Sequence, residues 1–334
     1  MSLNKIVFIG AGAIGTALGN SLAKNHENDI TLVSIEEDVV NSINQTHVNQ
    51  KYFPGISLNP RLKASFSIDP IKSAGFIFSA IPSSETVRYL KKYKDIIPPD
   101  AIIVNLAKGF GEHNCTIIKC LGEFLPNPVC PMKGPTFARD IINNQATGFT
   151  VGSDDPSLFP RFSQLFRDTN IYLDFSTDTQ GVEILSILKN IYAIVAGITD
   201  ASFDAPNLRS LVLTKAFKEM RDILLEFGGS EQTMFKFCGF GDFTLTALND
   251  LSRNRTLGLL IGKGFFTREM SDKVVLEGKI AVNVLVEILA SRNLSGHFPI
   301  LHELHKVFND HYDLSQFVNR IINFPVNTDN TTVD

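Results

Sequence analysis

The sequence predicts a doubly wound α/β sheet in its first half and an all-α domain after it, on three observations. Short apolar runs alternate with helical patterns, a glycine-rich turn joins the first run to the first helix, and strand signals stop after Asp174-Phe175-Ser176-Thr177-Asp178. The expected boundaries are 1–177 for the α/β domain and 178–324 for the helical one, with a polar, disordered tail at 325–334. A chain of 334 residues, 44% of them apolar and 20% charged, supplies enough apolar side chains for two cores. The net charge of -4 and the pI near 6.0 exclude a general attraction to nucleic acid or to an anionic membrane. Any anion site must therefore be local.

Taken in order, residues 5–9 form an apolar strand that runs into Gly10-Ala11-Gly12-Ala13-Ile14-Gly15 and the helical pattern 16–24. A second strand, 30–33, ends at Ser34-Ile35-Glu36. GxGxxG alone is weak evidence; strand before it, helix after it and an acidic residue about 20 positions on complete a dinucleotide-binding fingerprint of the Rossmann type. Gly10 permits the tight turn, Gly12 lets the backbone approach a pyrophosphate, Gly15 allows close helix packing, and the helix N-terminus offers its N–H groups to the anion. A glycine-rich turn without a ligand is the plain alternative. Further apolar runs at 76–81, 101–106, 128–132, 147–151 and 171–173 continue the sheet. Three loops after such runs have chemical character: Ala80-Ile81-Pro82-Ser83, Ala107-Lys108-Gly109 and Lys133-Gly134-Pro135-Thr136-Phe137-Ala138. Ligands of open α/β sheets bind outside the carboxyl ends of the strands, so these loops should line one crevice. Lys108 is then an anion anchor or a solvated loop lysine.

The opening MSLNKIVFIGAGAIG has one Lys and five apolar residues before its glycines, too few for a signal-peptide core. No stretch is read as reaching the ~20 apolar residues that span a bilayer, so a cytoplasmic protein is expected. Cys115, Cys120, Cys130 and Cys238 form no C-x-x-C pair, and buried, reduced thiols are expected over disulfides or a metal site. His302 and His305, in HELH, lack the i, i+4 spacing of a zinc helix.

The helical half is organised around 182–200, VEILSILKNIYAIVAGITD, where Lys189 is read as the one charge within an almost unbroken apolar pattern. Ile184, Leu185, Ile187, Leu188, Ile191, Ala193, Ile194 and Val195 cover most of the circumference, the pattern of a buried helix. Burial disfavours an ammonium: Lys189 is either paired, or shifted towards neutrality and able to exchange a proton near neutral pH, or it snorkels to the surface. Helical patterns follow at 208–227, 274–290 and 301–308. Among them lie Gly239-Phe240-Gly241-Asp242-Phe243-Thr244-Leu245-Thr246 and Ser252-Arg253-Asn254-Arg255. A guanidinium fork beside an amide and a hydroxyl grips phosphate well; the alternative is a helix cap at Asp242 and a solvated turn of arginines.

The segments GAGAIGTAL, AIPS, AKG, GPTFA, LKNIYAIVAGITD, GFGDFTLT, SRNR and VVLEG follow one another in this order, and through them the chain resembles the soluble, bacterial-type NAD(P)-dependent sn-glycerol-3-phosphate dehydrogenases over nearly its whole length. The resemblance implies the reversible reduction of dihydroxyacetone phosphate to sn-glycerol 3-phosphate by NADH or NADPH, supplying glycerophospholipid synthesis, in a homodimer without a metal. By matching positions it implies Lys189 as the catalytic lysine, with Asp242 and Thr246 beside it. It places Lys108, Gly134, Thr136, Asn190, Ser252, Arg253 and Asn254 at the substrate. Gly10, Gly12, Ala13, Ile14, Gly15, Glu36, Pro82, Lys108, Ala138, Arg253, Val275 and Glu277 fall at the cofactor. The chemistry agrees: hydride delivered to a ketone carbon leaves charge on oxygen, which a desolvated ammonium stabilises and protonates. Cations at Lys108 and Arg253 would anchor the phosphate, and an active-site cleft between the two domains is expected.

Four departures from the family pattern stand out. Ile14 replaces an aromatic residue, Ala107 a hydroxyl residue and Ala201 a glycine, and Asp200-Ala201-Ser202-Phe203-Asp204-Ala205-Pro206 replaces a glycine-rich loop. A stiffer loop bears on turnover and substrate fit. A related hydroxyacid or phosphogluconate-type dehydrogenase is the alternative enzyme, but it would lack GFGDFTLT and SRNR. A catalytically weakened cofactor-binding sensor is the alternative of another class, against which Lys189, Asp242, Arg253 and Asn254 stand together. Relatives often place a basic residue at the end of the second strand, where it meets the 2′-phosphate of NADPH. Here Ile35 and then Glu36 occupy it, and a carboxylate accepts from ribose hydroxyls but repels a phosphate, so NADH is the expected preference.

Overall fold

The computed structural model describes residues 3–265 and 273–324. One eight-stranded sheet contains β1 (Asn4–Ile9), β2 (Asn28–Val33), β3 (Lys63–Ser65), β4 (Phe76–Ser79), β5 (Ile102–Asn105), β6 (Val129–Lys133), β7 (Thr147–Gly152) and β8 (Ile171–Ser176). Their order is β3-β2-β1-β4-β5-β6-β7-β8, parallel throughout except where β6 meets β7. The expected α/β sheet of Rossmann type is the one observed. Only β3 went unread, because Lys63-Ala64-Ser65 offers a single apolar side chain as a signal.

Alternation along the strands builds two cores. Ile6, Phe8, Ile30, Leu32, Phe76, Phe78, Ile102 and Val104 pack on one face, and Val7, Ile9, Val33, Ile77 and Ile103 on the other. Strands buried on both faces read as continuous apolar runs, which is why they were visible in the sequence. Phe8 and Phe78, neighbours across β1 and β4, stack with ring centroids 4.6 Å apart. The helices among and after these strands are α1 (Ala13–Leu22), α2 (Glu37–Thr46), α3 (Ser83–Tyr93), α4 (Ile117–Gly122), α5 (Ala138–Ile142) and α6 (Phe159–Leu165).

Beyond β8 the described residues are helical: α7 (Thr179–Ser202), α8 (Pro206–Glu226), α9 (Asp242–Leu248), α10 (Arg253–Gly262), α11 (Lys273–Ser291), α12 (Pro299–Asn309) and α13 (Phe317–Asn323). The expected tail at 325–334 lies outside the described residues. By compactness the chain forms two units, Met1–Ile187 with Leu224–Leu245, and Leu188–Ile223 with Thr246–Asp334.

Contrary to the expectation that no stretch is long enough to span a bilayer, α7 is long and apolar enough by composition, with a mean hydropathy of 1.6. Its window is 94% buried inside the protein, the environment of a core helix. Glycines let α10 lie against it: a Cβ at Gly258 would stand 2.1 Å from the Ile194 carbonyl oxygen, and one at Gly197 2.2 Å from that of Arg255. The substituted loop after α7 is pinned by charge. Asp200 accepts from Arg209 Nε and, at 2.7 Å, from Arg255 Nη2, while Arg255 Nη1 reaches Asp250 at 2.6 Å.

Buried Glu219 caps α12, accepting from Tyr192 Oη at 2.7 Å and from the N–H groups of Ile300 and Leu301 at 2.9 and 2.8 Å. Removing that carboxylate strands three donors. Glu219→Ala is expected to cost roughly 1–3 kcal/mol, read as a lower denaturation midpoint. An unchanged midpoint would contradict the cap.

The cysteines correct an expectation. Cys115 and Cys120 form a disulfide, because the turn at Glu112–Asn114 leads into α4 and brings their Cα atoms to 6.4 Å. Cys130 and Cys238 are buried free thiols, and burial pushes both up to about 12.

Candidate active site

The glycine turn has three separate geometries. Gly10 sits at a φ of 108°, and a Cβ there would come within 2.8 Å of the Ala80 carbonyl oxygen. At Gly15 a Cβ would fall 2.2 Å from the Gly10 oxygen, so only glycine lets α1 start this close to β1. Around Gly12, the N-cap of α1, the space is open. A side chain would occupy that space at the helix N-terminus, where a pyrophosphate is expected, so the residues fit a dinucleotide. Asn49, fully buried, locks the turn by donating to the Ala11 carbonyl at 3.0 Å and to Thr16 Oγ1 at 2.9 Å. Sequence reasoning missed it, since an Asn in a polar loop carries no signal of burial.

Ala13 and Ile14 open α1 and are half-buried. Glu36 is the N-cap of α2; it pairs with Lys51 and accepts from Tyr52 Oη at 3.2 Å. Hydrogen bonding from the Lys51 ammonium holds its carboxyl below the ordinary value. Pro82, exposed, precedes α3, and a Cβ at Gly109 would meet Ser83 Oγ at 2.4 Å, so the loops after β4 and β5 touch. Ala138 begins α5. Glu277 is exposed on α11; Val275 lies on the same helix, its side chain outside those described.

Lys108 extends from the loop after β5, donating to Asp242 Oδ2 at 2.8 Å and to the Gly134 carbonyl at 3.1 Å. Thr136 Oγ1 donates to the same carbonyl at 3.1 Å. A Cβ at Gly134 would come within 2.3 Å of the Gly148 oxygen, which makes the tight GPT turn a glycine requirement. Asp242, 1% exposed, opens α9 directly after a π-helical turn at Phe237–Gly241, the kind of irregular turn that proteins concentrate at functional sites.

Lys189, 6% exposed, donates to Thr246 Oγ1 at 2.7 Å. Of the readings left open by the sequence, burial rules out snorkelling: the side chain is held inside the protein. Asn190, half-buried, follows it on α7. Ser252 is the N-cap of α10, accepting from the Arg255 N–H at 3.3 Å. Arg253 is exposed at the first position of that helix, Asn254 is half-buried beside it, and Arg255 is drawn inward by Asp200. Three more buried polar residues were missed: Lys133, Asn105 and Glu183, all 0% exposed. Glu183 could have been found, because it interrupts the same apolar helix pattern that singled out Lys189.

A glycine-cradled dinucleotide turn on a parallel sheet, with buried and partner-held lysines, defines the class of dinucleotide-dependent dehydrogenases. The family model described as the NAD-dependent glycerol-3-phosphate dehydrogenase N-terminus matches residues 5–159, and that of the C-terminus matches 178–319. The glycerol-3-phosphate dehydrogenase (NAD(P)+) of Leptospira biflexa is 34% identical over 80% of this chain and 81% of its own. That of Methanothermobacter thermautotrophicus is 32% identical over 94% and 96%. The crystal structure of glycerol-3-phosphate dehydrogenase from Coxiella burnetii shares the fold, with a TM-score of 0.87 at 24% identity, over 96% of this chain and 99% of that one. The chain belongs to the NAD-dependent glycerol-3-phosphate dehydrogenase family.

Proposed function

We propose that this chain reduces dihydroxyacetone phosphate to sn-glycerol 3-phosphate, reversibly, with Lys189 as the proton donor. The nicotinamide cofactor supplies the hydride when bound. The observation that carries the reading is the buried Lys189 ammonium aimed by Thr246 at 2.7 Å. Out of water, that charge is worth more to a developing alkoxide, and the same group gives the proton. Asp242 holds Lys108, so its ammonium is oriented before substrate arrives. Arg253, with Ser252 and Asn254 at the N-terminus of α10, suits the phosphate: guanidinium and helix N–H groups both favour an anion. Gly134, Thr136 and Asn190 complete the substrate positions, and Ala138, Val275 and Glu277 those of the cofactor. The test is cofactor oxidation with dihydroxyacetone phosphate against dihydroxyacetone and keto acids. Faster turnover of a keto acid would sink the assignment.

The same reading takes residues 1–177 as the cofactor domain and 178–324 as the catalytic one, supported by the last strand ending at Ser176. It also takes the protein as a cytoplasmic homodimer. The exposed rings of Phe235 and Phe240 support a covered surface, and sedimentation would test it.

NADH is expected to be preferred, since Glu36 favours ribose hydroxyls over a 2′-phosphate. Lys51 neutralises part of that repulsion, so the advantage in kcat/KM should be about tenfold, and Lys51→Ala should widen it. An NADPH preference in the unaltered enzyme would show that Glu36 does not face the ribose.

A further inference from the structure

Lys133 ends β6 and is among the largest fully buried side chains. Its Nζ donates to the carbonyl of Asn105, at 2.9 Å, and to that of Ala107. These carbonyls belong to the backbone turn that carries Lys108. β5 and β6 pair as far as Asn105 opposite Pro131, so the turn that follows lies beyond the ladder and the Lys133 side chain takes its carbonyls.

Asn105 is gripped a second time through its side chain. Its Oδ1 accepts from the Ala107 N–H at 3.0 Å, and its Nδ2 donates to Glu183 Oε1 at 2.7 Å. The other Glu183 oxygen accepts from the Ile118 N–H at 3.1 Å. Burial lowers the Lys133 ammonium from its ordinary value and raises the Glu183 carboxyl, and each charge opposes the shift of the other. Two buried charges are a costly way to fill space that leucines would fill. Their use is geometric, because both end on the three residues before Lys108.

We propose that Lys133 is a positioning residue: with Glu183 it sets the 105–107 turn so that Lys108 reaches substrate from a fixed direction. The proposal rests on the reading of Lys108 as the phosphate anchor, and the two can fail separately. Lys133→Met is expected to raise the KM for dihydroxyacetone phosphate about tenfold, with kcat within about threefold and NADH affinity unchanged. In a Lys108→Met background the same substitution should cost less than about twofold in kcat/KM, because the anchor it positions is gone. Equal factors in the two backgrounds would overturn positioning while leaving the anchor in place. A Lys108→Met enzyme with unaltered KM would overturn the anchor and the proposal with it. Since Lys133→Met leaves Glu183 buried without its cation, the neutral pair Lys133→Met/Glu183→Gln is measured alongside. An unchanged KM in that pair, folded and binding NADH, would also overturn it.

Discussion

Lys189→Ala is expected to lose at least ~100-fold in kcat while still folding and binding cofactor. The loss follows from position: a 6%-exposed ammonium donating to Thr246 at 2.7 Å is already desolvated and aimed, so nothing in water replaces it when the side chain is gone. Folding should survive, because alanine is the best helix former and α7 is packed on its other positions by Ile187, Leu188, Ile191 and Ile194. Lys189→Met controls for the lost packing, keeping the volume without the charge, and should be as inactive. Near-normal turnover in either folded variant would remove the catalytic assignment. Cofactor binding, read by fluorescence, separates a chemical defect from a folding one.

Arg253→Ala should damage the use of dihydroxyacetone phosphate far more than that of dihydroxyacetone. One charge-assisted contact to the phosphate is worth about 10- to 150-fold in kcat/KM, and only the phosphorylated substrate has the group to lose. The exposure of Arg253 at the start of α10 fits a residue waiting for an anion; neighbouring Arg255, turned inward to Asp200, serves the fold instead. Equal losses on both substrates would place Arg253 at the cofactor or in the structure.

The SRNR segment shows how far a motif reads. Its composition suits a phosphate grip but could not divide the labour between two arginines. That division depends on Asp200, 55 residues away in sequence, which only the packing of α10 on α7 brings to Arg255. Lys189 and Glu183 show the converse. Both break an apolar helix pattern, and both proved buried and held. Cys115 and Cys120 lacked any spacing that signals a bridge, and a local turn joined them nonetheless.

By itself the sequence determined the sheet, the helical second half and the glycine cradle. Strands buried on both faces must be apolar runs, a helix buried all round must be apolar all round, and a turn at a φ of 108° asks for glycine. Those are demands that each residue meets with its near neighbours, so they are written in order along the chain. The tertiary structure alone decided which polar atoms meet: Lys108 with Asp242, Lys133 with the carbonyls of Asn105 and Ala107, Glu36 with Lys51. A buried polar group must find a partner, but nothing local says which, because the partner arrives from another element when the cores close.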